Sequence, residues 1–281
     1  MNTSLPPEKQ RFLDALVARL SGIPGMAGIA LGGSWARGYA RPDSDMDVAL
    51  YYHAGKPFAI EEVRKVAEDI HTGPLCTVTD FYGWGPWVKG GAWIDTEAGR
   101  VDFIYRSLEH VQQTITEASQ GIHHHDFGQQ PPFGFFSVTY LGETKVCIPL
   151  FDPNGSIENL KRQVTPYPAA LKQKLLQDLL WMIEFTFTFT EKFITRGDIY
   201  NTTGCLTRAA VYMVQVLFAL NETYFINDKT ALIEIDTFEK KPHLFTEHLQ
   251  EILGHCGATP SECGSSLDLM RSIFVEIKAL C

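Results

Sequence analysis

The spacing of apolar residues divides the chain into two parts of different character. Up to about residue 150, short apolar runs alternate with turns rich in glycine and proline, whereas the rest has apolar residues three and four positions apart over long stretches. A strong turn signal, Asp152-Pro153-Asn154-Gly155, separates the two parts. The pattern predicts an α+β domain over residues 1–152 and a helical bundle domain over residues 153–281.

Individual segments of the first part have clear periods. Helical spacing predicts helices over residues 7–20 and 60–70. Ser107, as a candidate N-cap, predicts a further helix that ends at about residue 119. Short apolar runs predict strands over residues 28–31, 46–52 and 75–82. Residues 93–105 predict a hairpin, because two apolar runs flank a turn at residues 96–99.

The second part is predicted to be helical throughout. Apolar spacing predicts helices over residues 168–196, 199–221, 243–253 and 265–280. The run 185–190 alternates phenylalanine and threonine, which is typical of a strand, but its flanks are helical and we interpret it as helix. Residues 123–134, with three consecutive histidines and a Pro-Pro pair, predict a loop over or near the functional site.

Charge and composition exclude several classes of protein. The net charge is −9, from 24 Lys and Arg against 33 Asp and Glu, which argues against coating long nucleic acid. The six cysteines form no Cys-x-x-Cys pair and predict reduced thiols. The first ten residues lack the apolar segment of a secretory leader, and acidic residues interrupt the apolar stretch 175–193. We therefore expect a cytoplasmic protein without a membrane span.

Candidate chemistry concentrates between residues 31 and 50. The sequence Gly32-Gly33-Ser34 follows an apolar run, and glycine lets successive backbone N–H groups cradle phosphate oxygens. A helix beginning at Ser34 would add an N-terminus that favours anions. Asp45 and Asp47 flank one apolar residue on a predicted strand, so both carboxylates are expected on the same face.

Paired carboxylates beside a phosphate cradle indicate a metal site. Two adjacent carboxylates on rigid backbone repel each other unless cations neutralise them. Mg²⁺ prefers oxygen ligands and keeps substrate phosphates in its shell, and the layout is typical of two-metal phosphoryl transfer. A third carboxylate is expected from a neighbouring strand. Asp102 fits, because it lies within the apolar run 101–105, where an Asp without a function would be costly.

At this point the sequence resembles a known family. The joint pattern Gly33-Ser34, Ala36-Arg37-Gly38 and Ser44-Asp45-Met46-Asp47 is similar to the small nucleotidyltransferases of the DNA polymerase β superfamily. Asp102 resembles the third carboxylate of the lincosamide and aminoglycoside nucleotidyltransferases, and the helical half resembles the bundle attached to such domains. The resemblance implies a mixed sheet with flanking helices, a nucleoside triphosphate as co-substrate and two Mg²⁺ ions.

The resemblance also implies a role for each motif residue. It assigns metal binding and catalysis to Asp45, Asp47 and Asp102. It assigns nucleotide binding to Gly33, Ser34, Arg37 and Ser44. Asp102 would complete the metal shell or take the proton from an acceptor hydroxyl that attacks the α-phosphorus. Arg37 would touch the triphosphate or brace its loop.

Several candidate residues keep two interpretations. Glu143 is a second candidate for the general base. Three tryptophans near residue 90 either form core or line an apolar acceptor pocket; these are Trp84, Trp87 and Trp93. The run His123-His124-His125 predicts a polar loop, since consecutive side chains diverge and do not easily share one metal ion.

The function predicted by the resemblance is nucleotidyl transfer to a small hydroxylated acceptor, an antibiotic-like compound or an unknown metabolite. One alternative is an antitoxin-like or regulatory nucleotide-binding module, and another is an enzyme that modifies a protein partner. The helical toxins paired with such antitoxins carry Arg-x4–6-His; the nearest match, Arg106 to His110, has only three intervening residues and lies in the first half. The sequence leaves the acceptor, the base of the nucleotide and a homodimer open.

Overall fold

The structure is a computed structural model that describes residues 5–281. Two compact units are present. Unit 1 comprises the described residues up to Glu117 and His124–Pro166, and unit 2 comprises Ala118–His123 and Tyr167–Cys281. The prediction of no secretory leader falls partly on residues 1–4, outside the described residues.

Unit 1 continues beyond residue 152, where the sequence predicts a domain boundary. The fully buried Ile157 packs on the strand that contains Gly28: a Cβ atom added to Gly28 would lie 2.8 Å from Ile157 Cδ1. The turn at 152–155 is therefore internal to this compact unit. The division into domains 1–152 and 153–281 stays a prediction.

The elements from the N-terminus to residue 163 alternate helices with short strands. They are α1 (Pro7–Ser21), β1 (Met26–Leu31), α2 (Gly33–Arg37), β2 (Met46–Tyr52), α3 (Ile60–Ile70), β3 (His71–Val78), β4 (Gly91–Thr96), β5 (Gly99–Ser107), α4 (Leu108–Ser119), β6 (His125–Asp126), β7 (Phe135–Phe136), α5 (Val138–Val146), β8 (Ile148–Phe151) and α6 (Ser156–Gln163).

Within residues 5–281, a six-stranded sheet has the order β3-β4-β5-β2-β1-β8. β2 and β5 are parallel, and the other neighbours are antiparallel. The mixed sheet and its helices confirm the predicted α+β class. Alternate residues of the two central strands are fully buried in one core with α1 and α3; these are Met46, Val48, Leu50, Val101, Phe103 and Tyr105. The intervening residues, which include Asp47 and Asp102, belong to the other face.

Unit 2 is helical, as predicted. Its helices are α7 (Ala169–Thr195), α8 (Ile199–Leu220), α9 (Asp228–Ile235), α10 (Phe245–Gly254) and α11 (Pro260–Leu280). Residues 185–190 lie inside α7, which confirms the helical interpretation of that run. Of the described helices, α8 alone is long and apolar enough to cross a membrane, yet 61% of its apolar stretch is buried within the protein, as in a core helix.

Some elements differ from the sequence-based predictions. β3 covers residues 71–78 instead of 75–82, and as an edge strand it tolerates Pro74. α5 was not predicted, because it is buried on nearly all sides and has no polar face to produce a helical period. Asp45 precedes β2 instead of lying on it, and α2 begins at Gly33 instead of Ser34.

Candidate active site

The Gly-Gly turn after β1 lies directly against the first turn of the neighbouring strand. The Gly32 N–H donates a hydrogen bond to the Asp47 carbonyl oxygen at 2.8 Å. Gly33 has a φ of +57°, and a Cβ atom on it would lie 1.7 Å from Asp47 Oδ2. Only glycine fits both the left-handed backbone and the close approach. The fold thus places the candidate phosphate cradle in contact with a candidate metal-binding carboxylate.

Asp47 and Asp102 are register partners on the parallel strands β2 and β5. Both are half-buried. Neighbouring strands lie about 4.8 Å apart, so the two side chains leave the sheet side by side. Asp45, which is exposed, lies just before β2. Within residues 5–281, no group of three or more His, Cys, Asp or Glu side chains converges closely enough to hold a metal ion.

The loop that leads to Asp45 is braced by Ser44. The Ser44 hydroxyl accepts a hydrogen bond from the Arg41 N–H at 2.8 Å. The backbone carbonyl oxygen of Ser44 accepts hydrogen bonds from Lys9 Nζ at 3.0 Å and from Trp35 Nε1 at 3.3 Å. These contacts fix the loop from inside the unit. The predicted contact of Ser44 with a nucleotide stays a prediction.

The helix that follows the cradle is short. α2 has five residues and ends at Gly38 in the left-handed conformation, so its dipole is small. Ser34 is half-buried near its start. The Arg37 guanidinium lies 5.3 Å from the ring centroid of Tyr39, which is itself exposed. The predicted roles of Ser34 and Arg37 in nucleotide binding stay predictions.

Trp93 of β4 is the cross-strand partner of Asp102 and leaves the sheet beside it. It is 42% exposed and stacks on Trp84, with ring centroids 4.7 Å apart and planes 22° from parallel. Gln129 holds the loop that carries Trp84: its Oε1 accepts from the Trp87 N–H at 2.9 Å, and its Nε2 donates to the Trp84 carbonyl. An aromatic surface therefore adjoins the carboxylates.

Comparison with known proteins finds a family match within the first part of the chain. Residues 10–80 match the nucleotidyltransferase domain family. Over these residues the chain is similar to nucleotidyltransferase domains. Such domains generally transfer a nucleoside monophosphate from a nucleoside triphosphate and use a divalent metal ion. The match includes the cradle and the Asp45-x-Asp47 pair but ends before Asp102.

Other comparisons add less. Residues 143–229 match a domain of unknown function, DUF4037. No curated protein matches the chain. Among solved structures, the chain is similar to a nucleotidyltransferase-like protein from Exiguobacterium sibiricum 255-15, with 8% sequence identity and a TM-score of 0.46. That comparison covers 94% of this chain and 74% of the other.

The three consecutive histidines make separate contacts. His124 contacts Glu117 at 3.0 Å, and His125 contacts the Phe133 carbonyl at 2.7 Å. His123 belongs to unit 2, where its Nε2 contacts Asp178 at 3.2 Å.

Glu143, the second candidate for the general base, forms an ion pair. Its Oε2 lies 2.6 Å from Arg106 Nη2. Arg106 is only 4% exposed and lies near the end of β5. Lys89 is 5% exposed and lies on the loop before β4. Sequence reasoning assigned no role to these two cations, because a single Arg or Lys beside apolar residues has no distinctive spacing.

Proposed function

We propose that the protein transfers a nucleoside monophosphate from an Mg²⁺-bound nucleoside triphosphate to a hydroxyl of a small-molecule acceptor, releasing pyrophosphate. One observation carries the proposal: Gly33, just after β1, lies against Asp47 of β2, and Asp47 is the register partner of Asp102 on β5. A glycine cradle for phosphate oxygens thus adjoins two paired carboxylates on one face of the sheet.

The donor set fits Mg²⁺. Carboxylate oxygens are its preferred protein ligands, and a Mg²⁺ ion is usually held by one or two carboxylates plus substrate phosphates and water. Asp47 would hold the metal in that way, with Asp102 beside it and Asp45, on the loop just before β2, as further candidate ligands. When bound, Mg²⁺ neutralises the charge that develops on the phosphates.

The residues of the chain orient the reactants. The backbone of Gly33, with Ser34, binds the β- and γ-phosphates and leaves the α-phosphorus beside Asp47. Asp102 either completes the metal shell or accepts the proton of the acceptor hydroxyl. The hydroxyl oxygen bonds to the α-phosphorus as the bond from that phosphorus to the pyrophosphate oxygen breaks. Positioning and electrostatic stabilisation supply most of the rate enhancement in such transfers.

The strand order favours one side for the acceptor. The cradle follows β1, whereas Trp93 lies on β4, beyond Asp102 and on the opposite side from the cradle. In-line attack requires the nucleophile to approach opposite the leaving pyrophosphate. The acceptor therefore binds over Trp93 and Trp84, and a ring in it packs on the exposed indole.

The test is calorimetric binding of a non-hydrolysable ATP or GTP analogue with and without Mg²⁺. Wild type is expected to bind in a metal-dependent way, and the double variant Asp45→Asn with Asp47→Asn to lose that binding. The control, Asp14→Asn with Asp69→Asn, removes the same charge at exposed positions on α1 and α3. A folded wild type that binds no nucleotide would contradict the proposal and favour the regulatory-module alternative.

A further inference from the structure

Lys89 is a largely buried lysine that forms no ion pair among residues 5–281. The residue is only 5% exposed, and its side chain forms no ion pair or hydrogen bond within the described part of the chain. Its Nζ lies 5.1 Å from the ring centroid of Tyr82. Folding removes much of the water around this ammonium group without giving it an ion pair, and the desolvation lowers its pKa. That cost calls for a function.

A second buried cation adjoins it. The Tyr105 N–H donates to the Gly90 carbonyl at 2.8 Å, which places Lys89 beside Arg106 across the two chain segments. Arg106 is 4% exposed, and its guanidinium lies over the Tyr140 ring at 5.0 Å. Glu143 neutralises one of the two positive charges. Nη1 of Arg106 is buried and donates to no described residue.

His110 completes the group. Its ring lies 5.2 Å from the ring of Tyr140 and 5.2 Å from that of Trp87, and its Nδ1 is buried without a hydrogen-bond partner in the described residues. Burial, then the charges of Lys89 and Arg106, lower the pKa of His110 to about 4. His110 is therefore neutral at physiological pH, and the net positive charge of the group comes from Lys89.

The group lies on the sheet that carries the proposed active site. Arg106 is four residues after Asp102 on β5, so the two side chains share a face and their Cα atoms are about 13 Å apart. An acceptor long enough to span this distance would have a hydroxyl at Asp102 and a second group beside Arg106.

We propose that Lys89, Arg106 and His110 bind an anionic group, a carboxylate or phosphate monoester, of the acceptor. The assignment of the anionic group to the acceptor rests on the proposed function, whereas the binding of an anion at these residues does not. An anion site at these residues favours hydroxylated acids as acceptors. The net charge of −9 would instead favour cationic acceptors, but a local site need not have the same sign of charge as the whole protein.

The experiment measures chemical denaturation of wild type, Lys89→Met and Lys89→Arg with and without inorganic phosphate, in the absence of metal and nucleotide. Phosphate is expected to stabilise wild type and Lys89→Arg but not Lys89→Met, because a ligand of the folded state raises stability with its concentration. Without phosphate, Lys89→Met is expected to equal or exceed wild type in stability, since it removes an unpaired buried charge.

Three results would overturn the inference. They are a wild type that phosphate does not stabilise, equal stabilisation of Lys89→Met, and a Lys89→Met variant less stable than wild type without phosphate, which would make Lys89 structural.

A second arm separates this site from the nucleotide site. Ser34→Ala is expected to keep the phosphate effect, and Lys89→Met is expected to bind the nucleotide analogue with Mg²⁺ as wild type does. Loss of analogue binding in Lys89→Met would show that Lys89 binds the nucleotide's own phosphates and would contradict the inference. If wild type binds phosphate through Lys89 but no nucleotide, the proposed function fails while the anion site stands.

Discussion

The backbone of Gly33 lies so close to the carboxylate of Asp47 that a Cβ atom on residue 33 would stand 1.7 Å from Oδ2. The two residues are 14 positions apart in sequence and are joined by the antiparallel pairing of β1 with β2. Their contact links the group that would hold phosphate to the group that would hold metal, and it makes the glycine indispensable at this position.

Gly33→Ala is expected to destabilise the protein by about 1–2 kcal/mol from the left-handed backbone alone. It is also expected to abolish nucleotide binding, because Asp47 must move. Thermal unfolding and calorimetry of the analogue measure the two effects. Gly55→Ala is the control, since an added Cβ there meets no atom within 4 Å. If Gly33→Ala binds the nucleotide analogue as wild type does, then nucleotide binding does not depend on the position of Asp47 against Gly33, which would contradict the prediction.

Asp102→Asn separates the two roles left open for this carboxylate. If Asp102 takes the proton, nucleotide affinity stays within a few-fold of wild type while transfer falls by about 100-fold or more, the usual contribution of a positioned base. Single-turnover pyrophosphate release with an identified acceptor measures the rate, and calorimetry measures the affinity. Loss of metal-dependent binding would instead assign Asp102 to the metal shell.

Trp93→Ala is expected to raise the KM for the acceptor about tenfold, because stacking on one aromatic ring contributes about 1–3 kcal/mol. Affinity for the nucleotide analogue is expected to stay unchanged, since the cradle lies on the other side of Asp102. Trp181→Ala is the matched control: Trp181 is 58% exposed and stacks on Phe185 in unit 2. Equal effects of the two variants on KM would argue against an acceptor surface at Trp93.

Glu143→Gln is expected to lower stability by about 2–3 kcal/mol, because Arg106 would keep a buried charge without its counter-ion. The figure is below that of a fully buried pair, since the Glu143 side chain is 35% exposed. Glu191→Gln breaks an exposed pair with Arg271 and is expected to change stability by less than about 1 kcal/mol. Urea denaturation compares the two variants, and similar small losses would show that the Arg106 charge needs no partner.

The depressed pKa of His110 predicts a loss of stability in mild acid. In the unfolded chain the imidazole protonates near pH 6.5, whereas in the folded protein its pKa is about 4. The contribution of neutral His110 is therefore complete above pH 6.5 and is lost as the pH falls toward 4. For a half-buried side chain we expect about 1–2 kcal/mol.

Denaturation midpoints measured between pH 7 and pH 4 test this prediction. His110→Gln is expected to flatten the profile in that window, and the control His243→Gln, at an exposed position, to leave it unchanged. A His110→Gln profile as steep as that of wild type would assign the acid sensitivity to other groups.

The sequence by itself determined most of the local structure. The alternation of apolar residues in 46–52 and the apolar run 101–105 predicted both strands, and the alternation in 46–52 placed Asp47 on the face opposite Met46 and Val48. Apolar spacing likewise predicted α3, α7 and α8. These features depend on contacts between residues a few positions apart, and such residues leave a period in the sequence.

Tertiary structure decided which of these residues meet. The pairing of β2 with β5 sets Asp47 beside Asp102, and that of β5 with β4 sets Trp93 next to Asp102. Lys89 becomes a neighbour of Arg106 in the same way. Such contacts join segments far apart in sequence, and a strand's own period carries no information about its partner or register. The proposed anion site therefore left no signal in the sequence. The motif that resembles nucleotidyltransferases lies within one short segment and could be read from the sequence.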